Sequence, residues 1–454
     1  MGRSQWMRPA DAAWLGLERP ENRLVVTAVM RFTGVLEAND LRHRMQRVVA
    51  LHPRLGQVTR RAPVRRAPSR WYPDPDLDLR HHVVDANPAQ PCDDEALLRL
   101  ASELVSQPLD PDRPPWQIHL VRRTGGGSAI VARFHHSLAD GLALASVLLR
   151  LTDDDAPTHD AATHDAATHD DRAGDERAAR SWVRRRVVTA ARSGAAAVAT
   201  VARLLVTPDE PATALRGRLT TTKALALTSP HDLEDVRATA RAHDVSINDV
   251  LLAATAGGLR DQLAKRGGPV TDVRVLVPVD LRGGAGVPAD LGNLFGAVFV
   301  RLPVGQADPA RRVRAVAART ARLKASAEAG ATYLLLNLVG LLPRPVRREV
   351  VAVLIERTTS AVVTNVPGPR RTLTIGGCRV DDVAFWAPTV GRIGLGISLF
   401  SYAGTLTVGI AVDAALGLDA TELAQAIQDE LGVLRTSHRP PPRRSVRQKD
   451  RDAT

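Results

Sequence analysis

The stretch Phe134-His135-His136-Ser137-Leu138-Ala139-Asp140-Gly141 places two adjacent histidines at the end of an apolar run, with an Asp-Gly pair four residues after the second. The run ahead of it, Ala129-Ile130-Val131-Ala132-Arg133-Phe134, predicts a buried strand. The run behind it, Leu142 to Leu151, predicts a helix whose faces are set by Leu142, Ser146, Leu149 and Arg150. His136 therefore stands where a strand gives way to a turn and then a helix. A rigid scaffold often holds a reactive side chain beside a cleft at such a place. Imidazole is the side chain best suited to move a proton near neutral pH. A His-His pair has two other readings, a satisfied core pair and the start of a metal site. A metal site needs further ligands at suitable spacing, and no Cys or His cluster follows to supply them.

With 454 residues the chain is too long for one ordinary core, so two domains are expected. Aromatic residues make up only 3%, which argues against nucleic-acid binding by base stacking. The net charge is +12, of which the last 20 residues, with seven Lys/Arg and two Asp, carry +5. The remaining +7 favours an anionic partner, whether a membrane surface, a phosphate-bearing ligand or nucleic acid without sequence preference. A solvated basic surface accounts for it equally simply. Cys92 and Cys378 form neither a metal or redox spacing nor a disulfide framework. Met1 to Trp6 lacks the apolar core of a signal peptide, and no run of about 18 apolar residues predicts a spanning helix. A reducing cytoplasm is the expected compartment.

Residues 1–151 read as one mixed domain. Strands are expected over Leu24 to Phe32, Trp116 to Arg122 and Ser128 to Phe134, and helices over Ala38 to Leu51 and Glu95 to Gln107. Thr124-Gly125-Gly126-Gly127 is a hairpin turn signal. Residues 152–175 repeat Ala-Thr-His-Asp and read as a flexible low-complexity linker. Its His159, His164 and His169 offer at most weak metal binding. Residues 176–215 form a basic amphipathic helix and crossover, suited either to an anionic bilayer or to packing across the two domains. Residues 216–433 read as the second domain. In it Ser246-Ile247-Asn248-Asp249 opens a helix to Lys265, with Ser246 and Asp249 placed for a capping box. Strands are expected over Val273 to Val279, Gly296 to Leu302, Ala361 to Thr364, Ile393 to Phe400 and Thr405 to Val412, the last two joined at Ala403-Gly404. Residues 434–454 read as a disordered basic tail.

Several ordered motifs together resemble the bacterial wax ester synthase/diacylglycerol acyltransferase family, within the wider superfamily of CoA-dependent acyltransferases. Pro9-Ala10-Asp11-Ala12-Ala13-Trp14-Leu15 looks like the family's opening segment, as does Glu18-Arg19-Pro20-Glu21-Asn22. Pro108-Leu109-Asp110 and Arg113-Pro114-Pro115-Trp116 look like its proline/tryptophan motif. His135 to Gly141 matches its HHxxxDG signature, and Asn248-Asp249 its Asn-Asp motif. Pro278-Val279-Asp280-Leu281-Arg282, Gly292-Asn293 and Thr364-Asn365-Val366-Pro367-Gly368-Pro369 fill the later positions. HHxxxDG alone would indicate only the superfamily. The ordered set, from about residue 9 to 433, points to this family.

The resemblance implies a mixed α/β (α+β) fold of two chloramphenicol-acetyltransferase-like halves, each a mixed sheet flanked by helices, with a channel between them. It implies an O-acyltransferase moving a long-chain acyl group from acyl-CoA to diacylglycerol, a long-chain alcohol, or both, without a cofactor. His136 takes the general-base position, and no covalent intermediate is needed. Asn248 is the candidate oxyanion donor, with a purely helix-starting role as its alternative. His135, Asp140, Gly141 and Asp249 are structural at the site, with Asp140 pairing an arginine that the sequence does not identify and Gly141 supplying a permissive backbone and close helix approach. Pro108, Leu109, Asp110, Trp116, Asn365 and Gly368 are substrate-channel candidates, the last two open also to a simple turn role. Tyr333 to Leu342 would line an acyl slot, dip into a membrane or form a plain core helix. The lipid substrates imply peripheral attachment to the inner membrane face or to lipid inclusions. Two other readings remain: the same chemistry on another lipid or polyketide hydroxyl, and a catalytically silent lipid-binding protein.

Overall fold

The computed structural model describes residues 4–60, 69–86, 91–153, 194–211, 213–284 and 286–437. The expected linker beyond Asp153, the arginine-rich part of the expected helix up to Ser193, and the tail from His438 lie outside them. The first half contains β1 (Gln5–Trp6), α1 (Pro9–Leu17), β2 (Val25–Thr33), α2 (Ala38–Leu51), β3 (Gln57–Arg60), β4 (Arg70–Pro73), α3 (Leu79–His82), β5 (Val83–Asp85), α4 (Asp94–Ser106), β6 (Trp116–Arg122), β7 (Ser128–His135) and α5 (Gly141–Leu149). The second begins with α6 (Gly194–Val206), β8 (Lys223–Leu227), β9 (His231–Asp232), α7 (Leu233–His243), α8 (Ile247–Lys265), β10 (Val273–Asp280), β11 (Phe295–Leu302) and α9 (Pro309–Lys324). It continues through α10 (Glu328–Leu341), α11 (Arg344–Val351), a π-helical turn (Ala352–Glu356), β12 (Ala361–Pro367), β13 (Thr374–Ile375), β14 (Cys378–Trp386), β15 (Leu395–Tyr402), β16 (Thr405–Asp413) and α12 (Ala420–Thr436). Every helix and strand expected within the described residues occurs, with ends displaced by three residues or fewer.

Two mixed sheets carry the molecule. The first runs β13-β14-β2-β7-β6-β5, with only β5 and β6 parallel. The second runs β11-β10-β12-β15-β16-β8, with β12 parallel to both its neighbours. Helices flank both, so the architecture is the expected two-half α+β arrangement. The halves nevertheless exchange elements. β14 belongs by position to the stretch 216–433, yet it lies along β2 in the first sheet, with Phe385 opposite Ala28 and Val383 opposite Met30. Trp386 at its end donates from Nε1 to Ala226 O of the second sheet at 3.2 Å. Without β14 an edge of β2 would be left with unpaired backbone groups.

β7 explains the position of the histidine pair. All eight of its residues are buried, because both faces of this central strand are covered. Ile130, Ala132 and Phe134 pack with Leu41 and Met45 of α2 and Leu144 of α5. Ala129 and Val131 pack with Leu97 and Ala101 of α4. Side chains alternate across a strand, so His135 continues the α4 face and His136 leaves on the other side.

α1 reciprocates by packing on α10 of the second half. Gly340 makes that crossing possible: a Cβ there would lie 1.8 Å from Pro9 O. Arg347, buried in α11, donates from Nε to Val339 O at 3.1 Å and from Nη2 to Gly340 O at 2.8 Å, and its Nη1 donates to Ala12 O. Gly340→Ala should therefore push α10 off α1 at a cost of about 1–3 kcal/mol, read as a lower melting temperature with unchanged secondary structure. An unshifted melt would show that the crossing has slack.

Candidate active site

The Asp140 carboxylate organises the turn after β7. Its Oδ1 accepts from Ala143 N at 3.1 Å, capping α5 at a helix end where backbone N–H groups lack partners. Its Oδ2 accepts from Leu294 N at 2.9 Å and from Arg282 Nη2 at 2.6 Å. Arg282 is thus the arginine that the sequence leaves unidentified. It is almost fully buried and also bonds Asp280 Oδ1 through Nη1 at 2.6 Å. Burial opposes the Arg282 charge, but Asp140 and Asp280 outweigh it and raise the guanidinium pKa above its ordinary value. Burial, together with repulsion from Asp140, raises the Asp280 carboxyl. Because Leu294 and Arg282 bracket the β10–β11 connection, this cluster ties the second half to the loop of the first. Gly292 N reinforces it by donating to Leu138 O at 3.0 Å.

His136 lines a chamber of about 100 Å³ with Trp14, Asp140, Gly141, Arg282, Phe295, Asn365 and Phe385. The indole of Trp14 stacks on its ring, centroids 4.2 Å apart and planes 16° from parallel. Phe295 stands 5.7 Å away, tilted. Asn293 fixes the backbone at this point. Its Nδ2 donates to His136 O at 2.8 Å and to Asp11 Oδ1 at 2.9 Å, and its N–H donates to the same Asp11 oxygen at 2.9 Å. Asp11 and Trp14 lie three residues apart on α1, so one helix face supplies both the clamp and the stack.

Burial pushes the His136 pKa below its ordinary value, against its own backbone carbonyl, the Asp140 charge and the Asn293 side chain. The ring is therefore neutral at neutral pH. Its Nδ1 is buried without a hydrogen-bond partner, whereas Nε2 is not sealed in this way. His135 is a different case. Burial first, and His136 second, lower its pKa to about 3. Ser137 N and Oγ reach His135 Nδ1 at 3.1 and 2.8 Å, so that nitrogen accepts and the ring shapes the turn. Burial raises the Asp11 carboxyl to about 6, against its Asn293 hydrogen bonds and the charges of Arg54 and Arg8.

Other expected site residues lie elsewhere. Trp116 is buried in the first half's core, donating from Nε1 to Leu55 O at 2.7 Å and stacking on His82. Neither it nor Pro108, Leu109 or Asp110 lines the chamber, and the tryptophan of this motif is a core residue here. The alternation of β6 turns Trp116 into that core. Asn248, in the first turn of α8, is likewise not among the chamber residues. Asp249 completes the capping box with Ser246 and accepts from Thr320 Oγ1 at 2.5 Å. Asn365 borders both the chamber and a separate groove of about 410 Å³, which Gly368 and Arg237 also line. Gly141 has no positive φ, and a Cβ there would meet Val366 at an ordinary 3.8 Å. Its contribution is open chamber space rather than the expected permissive backbone.

A second cavity, of about 70 Å³ and almost wholly apolar, adjoins the chamber at Trp14, Leu276, Phe295 and Val390. Leu335, Leu336 and Val339 of α10, from the stretch 333–342, line it. Among the described residues no group of three His, Cys, Asp or Glu side chains could hold a metal ion. Trp14, Asp11 and Asn293 stand at the site although their motifs alone do not single them out as site residues. The i, i+3 spacing of Asp11 and Trp14 on a helix was the available signal.

A model of the wax ester synthase/diacylglycerol acyltransferase catalytic domain matches residues 7–251, and one of the WS/DGAT C-terminal domain matches residues 291–435. The chain is 30% identical over 394 residues to a probable diacylglycerol O-acyltransferase of Mycobacterium tuberculosis, tgs1, covering 84% of each protein. It is 29% identical over 437 residues to a putative diacylglycerol O-acyltransferase of the same organism, covering 94% of this chain and 89% of the relative. The wax ester synthase/diacylglycerol acyltransferase from Marinobacter aquaeolei VT8 superposes with a TM-score of 0.66 at 19% identity, covering 96% of this chain and 100% of that one. The first condensation domain of the CDA synthetase does so with a TM-score of 0.62 at 18% identity, covering 96% of each.

Arg282→Ala should cost roughly 3–5 kcal/mol, because it strands the buried Asp140 carboxylate and removes the partner of Asp280. Thermal or chemical unfolding reads this, and a loss below about 1 kcal/mol would contradict the pairing. Asp11 generates a pH signature. Its folded-state pKa of about 6 lies above the ordinary 3.8, so ionisation is harder in the folded protein and stability falls as pH rises from about 4 to 6. That fall amounts to about 3 kcal/mol. Asp11→Asn keeps the acceptor oxygen and should flatten this part of the melting-temperature profile, whereas parallel profiles would exclude a buried, perturbed Asp11.

Proposed function

The chain belongs to the wax ester synthase/diacylglycerol acyltransferase family, and we propose that it moves a long-chain acyl group from acyl-CoA to the hydroxyl of diacylglycerol, a long-chain alcohol, or both. As a member of that family it is an acyltransferase. The observation that carries the mechanism is a neutral, buried His136, held by Trp14 and by its own clamped backbone, in a chamber adjoining an apolar slot.

In this mechanism His136 Nε2 accepts the acceptor hydroxyl proton as that oxygen attacks the thioester carbonyl. The tetrahedral intermediate collapses, the C–S bond breaks, and His136 returns the proton to the departing CoA thiolate. Base catalysis of this kind contributes about 10²–10⁴-fold. No acyl-enzyme forms. Ser137 is fully buried and bonded to His135, which leaves it unsuited to nucleophilic attack. The Asp140 carboxylate is occupied by Arg282, Leu294 N and Ala143 N, so its role is to hold the turn. The apolar slot suits a hydrocarbon chain. Among the described residues no helix is long and apolar enough to cross a membrane. The lipid acceptor instead suits peripheral work at the inner membrane face or at a lipid inclusion.

The test is release of CoA thiol from palmitoyl-CoA by the purified protein, with dioleoylglycerol or hexadecanol added separately. Acceptor-dependent release, lowered at least 10²-fold in a folded His136→Ala variant, is expected. Full turnover in that variant would overturn the general-base role, and no release with either lipid would redirect the search to another hydroxyl. The base must be unprotonated, and burial lowers its pKa from the ordinary 6.5. The acid limb of kcat/KM should therefore lie below pH 6.5. A limb well above that value would assign the ionisation to another group.

A further inference from the structure

The apolar slot lies under three helices whose outer faces are also apolar. α10 presents Leu335, Leu336 and Val339 to the slot, while its Leu338 and Leu341 are 54% and 68% exposed. α6 sends Leu204 into the slot and leaves Leu205 and Val206 at 50% and 80% exposure. On α11 and the π-helical turn, Val351 and Leu354 face the slot while Val346 and Val353 face solvent. Of the eleven large apolar side chains exposed among the described residues, seven lie on these elements. Scattered exposed apolar residues are ordinary, but a cluster over one cavity marks an interaction surface.

Charge indicates the partner. Arg203, Arg344 and Arg348 are exposed on the same three helices. The chain also enters α6 from a stretch that carries six arginines between Glu176 and Ser193. Basic side chains interspersed with apolar ones favour the interface of an anionic bilayer. Size indicates why such a surface should lie here. A dry apolar cavity of about 150 Å³ accepts benzene. The slot measures about 70 Å³, so a long hydrocarbon chain enters only if its wall yields. α6 and α10 pack against each other over the slot. Among the described side chains of α6 only Leu204 is buried, and an ion pair of 2.7 Å between Arg203 and Glu328 bridges the two helices.

We propose that the outer face of α6, α10 and α11 docks on an anionic phospholipid bilayer, and that a membrane-resident acceptor reaches the slot between α6 and α10. This rests on the acyltransferase reading above. The docking itself is measurable without turnover. The full chain is sedimented with vesicles of phosphatidylglycerol or of phosphatidylcholine. CoA release is then followed with dioleoylglycerol embedded in those vesicles and, separately, with hexanol in vesicle-free buffer. The variant Leu338→Glu/Leu341→Glu changes the face without touching the slot lining, and Val35→Glu is an exposed control elsewhere.

Wild type and Val35→Glu should sediment with phosphatidylglycerol vesicles and several-fold less with phosphatidylcholine. The double variant should lose vesicle binding and embedded-acceptor turnover at least 10-fold, yet retain hexanol turnover within twofold and an unchanged melt. Unaltered vesicle binding in the double variant would overturn the proposal. So would parallel loss of hexanol turnover, which would make the face part of the fold. Dimers that the double variant splits, with no vesicle binding by wild type, would assign the face to a second copy of the chain and overturn the bilayer. No CoA release from wild type with any acceptor, despite normal vesicle binding, would instead remove the acyltransferase reading alone.

Discussion

The ion pair between Asp140 and Arg282 is the contact on which the rest of the site depends. Two charges removed from water are costly unless their hydrogen-bonding capacity is filled. Here Ala143 N, Leu294 N and Asp280 fill most of it, and Arg282 Nε is the buried donor left without a partner. Those partners come from both halves of the chain, so satisfying the charges also brings the halves together. The turn carrying His136 is thereby fixed between α5 and the β10–β11 connection. A weaker or purely apolar junction would hold the two sheets near each other without fixing the direction of one imidazole.

In the proposed mechanism His136 is a base that needs no neighbouring catalytic carboxylate. Burial keeps the ring neutral, the Trp14 stack fixes its plane, and Asn293 holds its backbone carbonyl. Each factor comes from a different element, namely β7, α1 and the β10–β11 connection. The two adjacent histidines differ because strand alternation sends them to opposite sides. His135 is sealed on Ser137, and His136 meets the chamber. Near-identical chemistry in sequence therefore becomes two unrelated roles in space.

The apolar slot and its cover adjoin the His136 chamber. α10 has apolar side chains on both its slot face and its outer face, and it binds the edge strand β11 through Thr332 Oγ1, 2.7 Å from both Ala297 N and Ala297 O. Glu328 adds a second bond, accepting from Phe299 N at 2.9 Å. The helix thus covers a sheet edge that would otherwise expose backbone groups. The same placement explains why its apolar run need not be a membrane span.

The regular elements were legible from local pattern. The buried β7 run, the capping box at Ser246 and Asp249, and the Ala403-Gly404 hairpin each depend on contacts within a few residues. His136 and the need of Asp140 for an arginine were legible as well, because the HHxxxDG motif carries them together. Position across the fold was not. β14 joins the first sheet across some 350 residues of sequence, and nothing in its own residues names β2 as partner. Trp116 read as a channel residue because its motif is shared, yet the side on which β6 presents it decides that it is core. Asn248 stays outside the chamber because capping fixes the start of α8, not its distance from β7. Sequence by itself determined the chemistry available and the local geometry of each element, since these follow from side-chain type and periodicity. Only tertiary structure decided that Arg282 pairs Asp140, that Trp14 and Asn293 hold His136, and that the slot adjoins it, because those contacts join residues more than a hundred positions apart through burial and charge compensation.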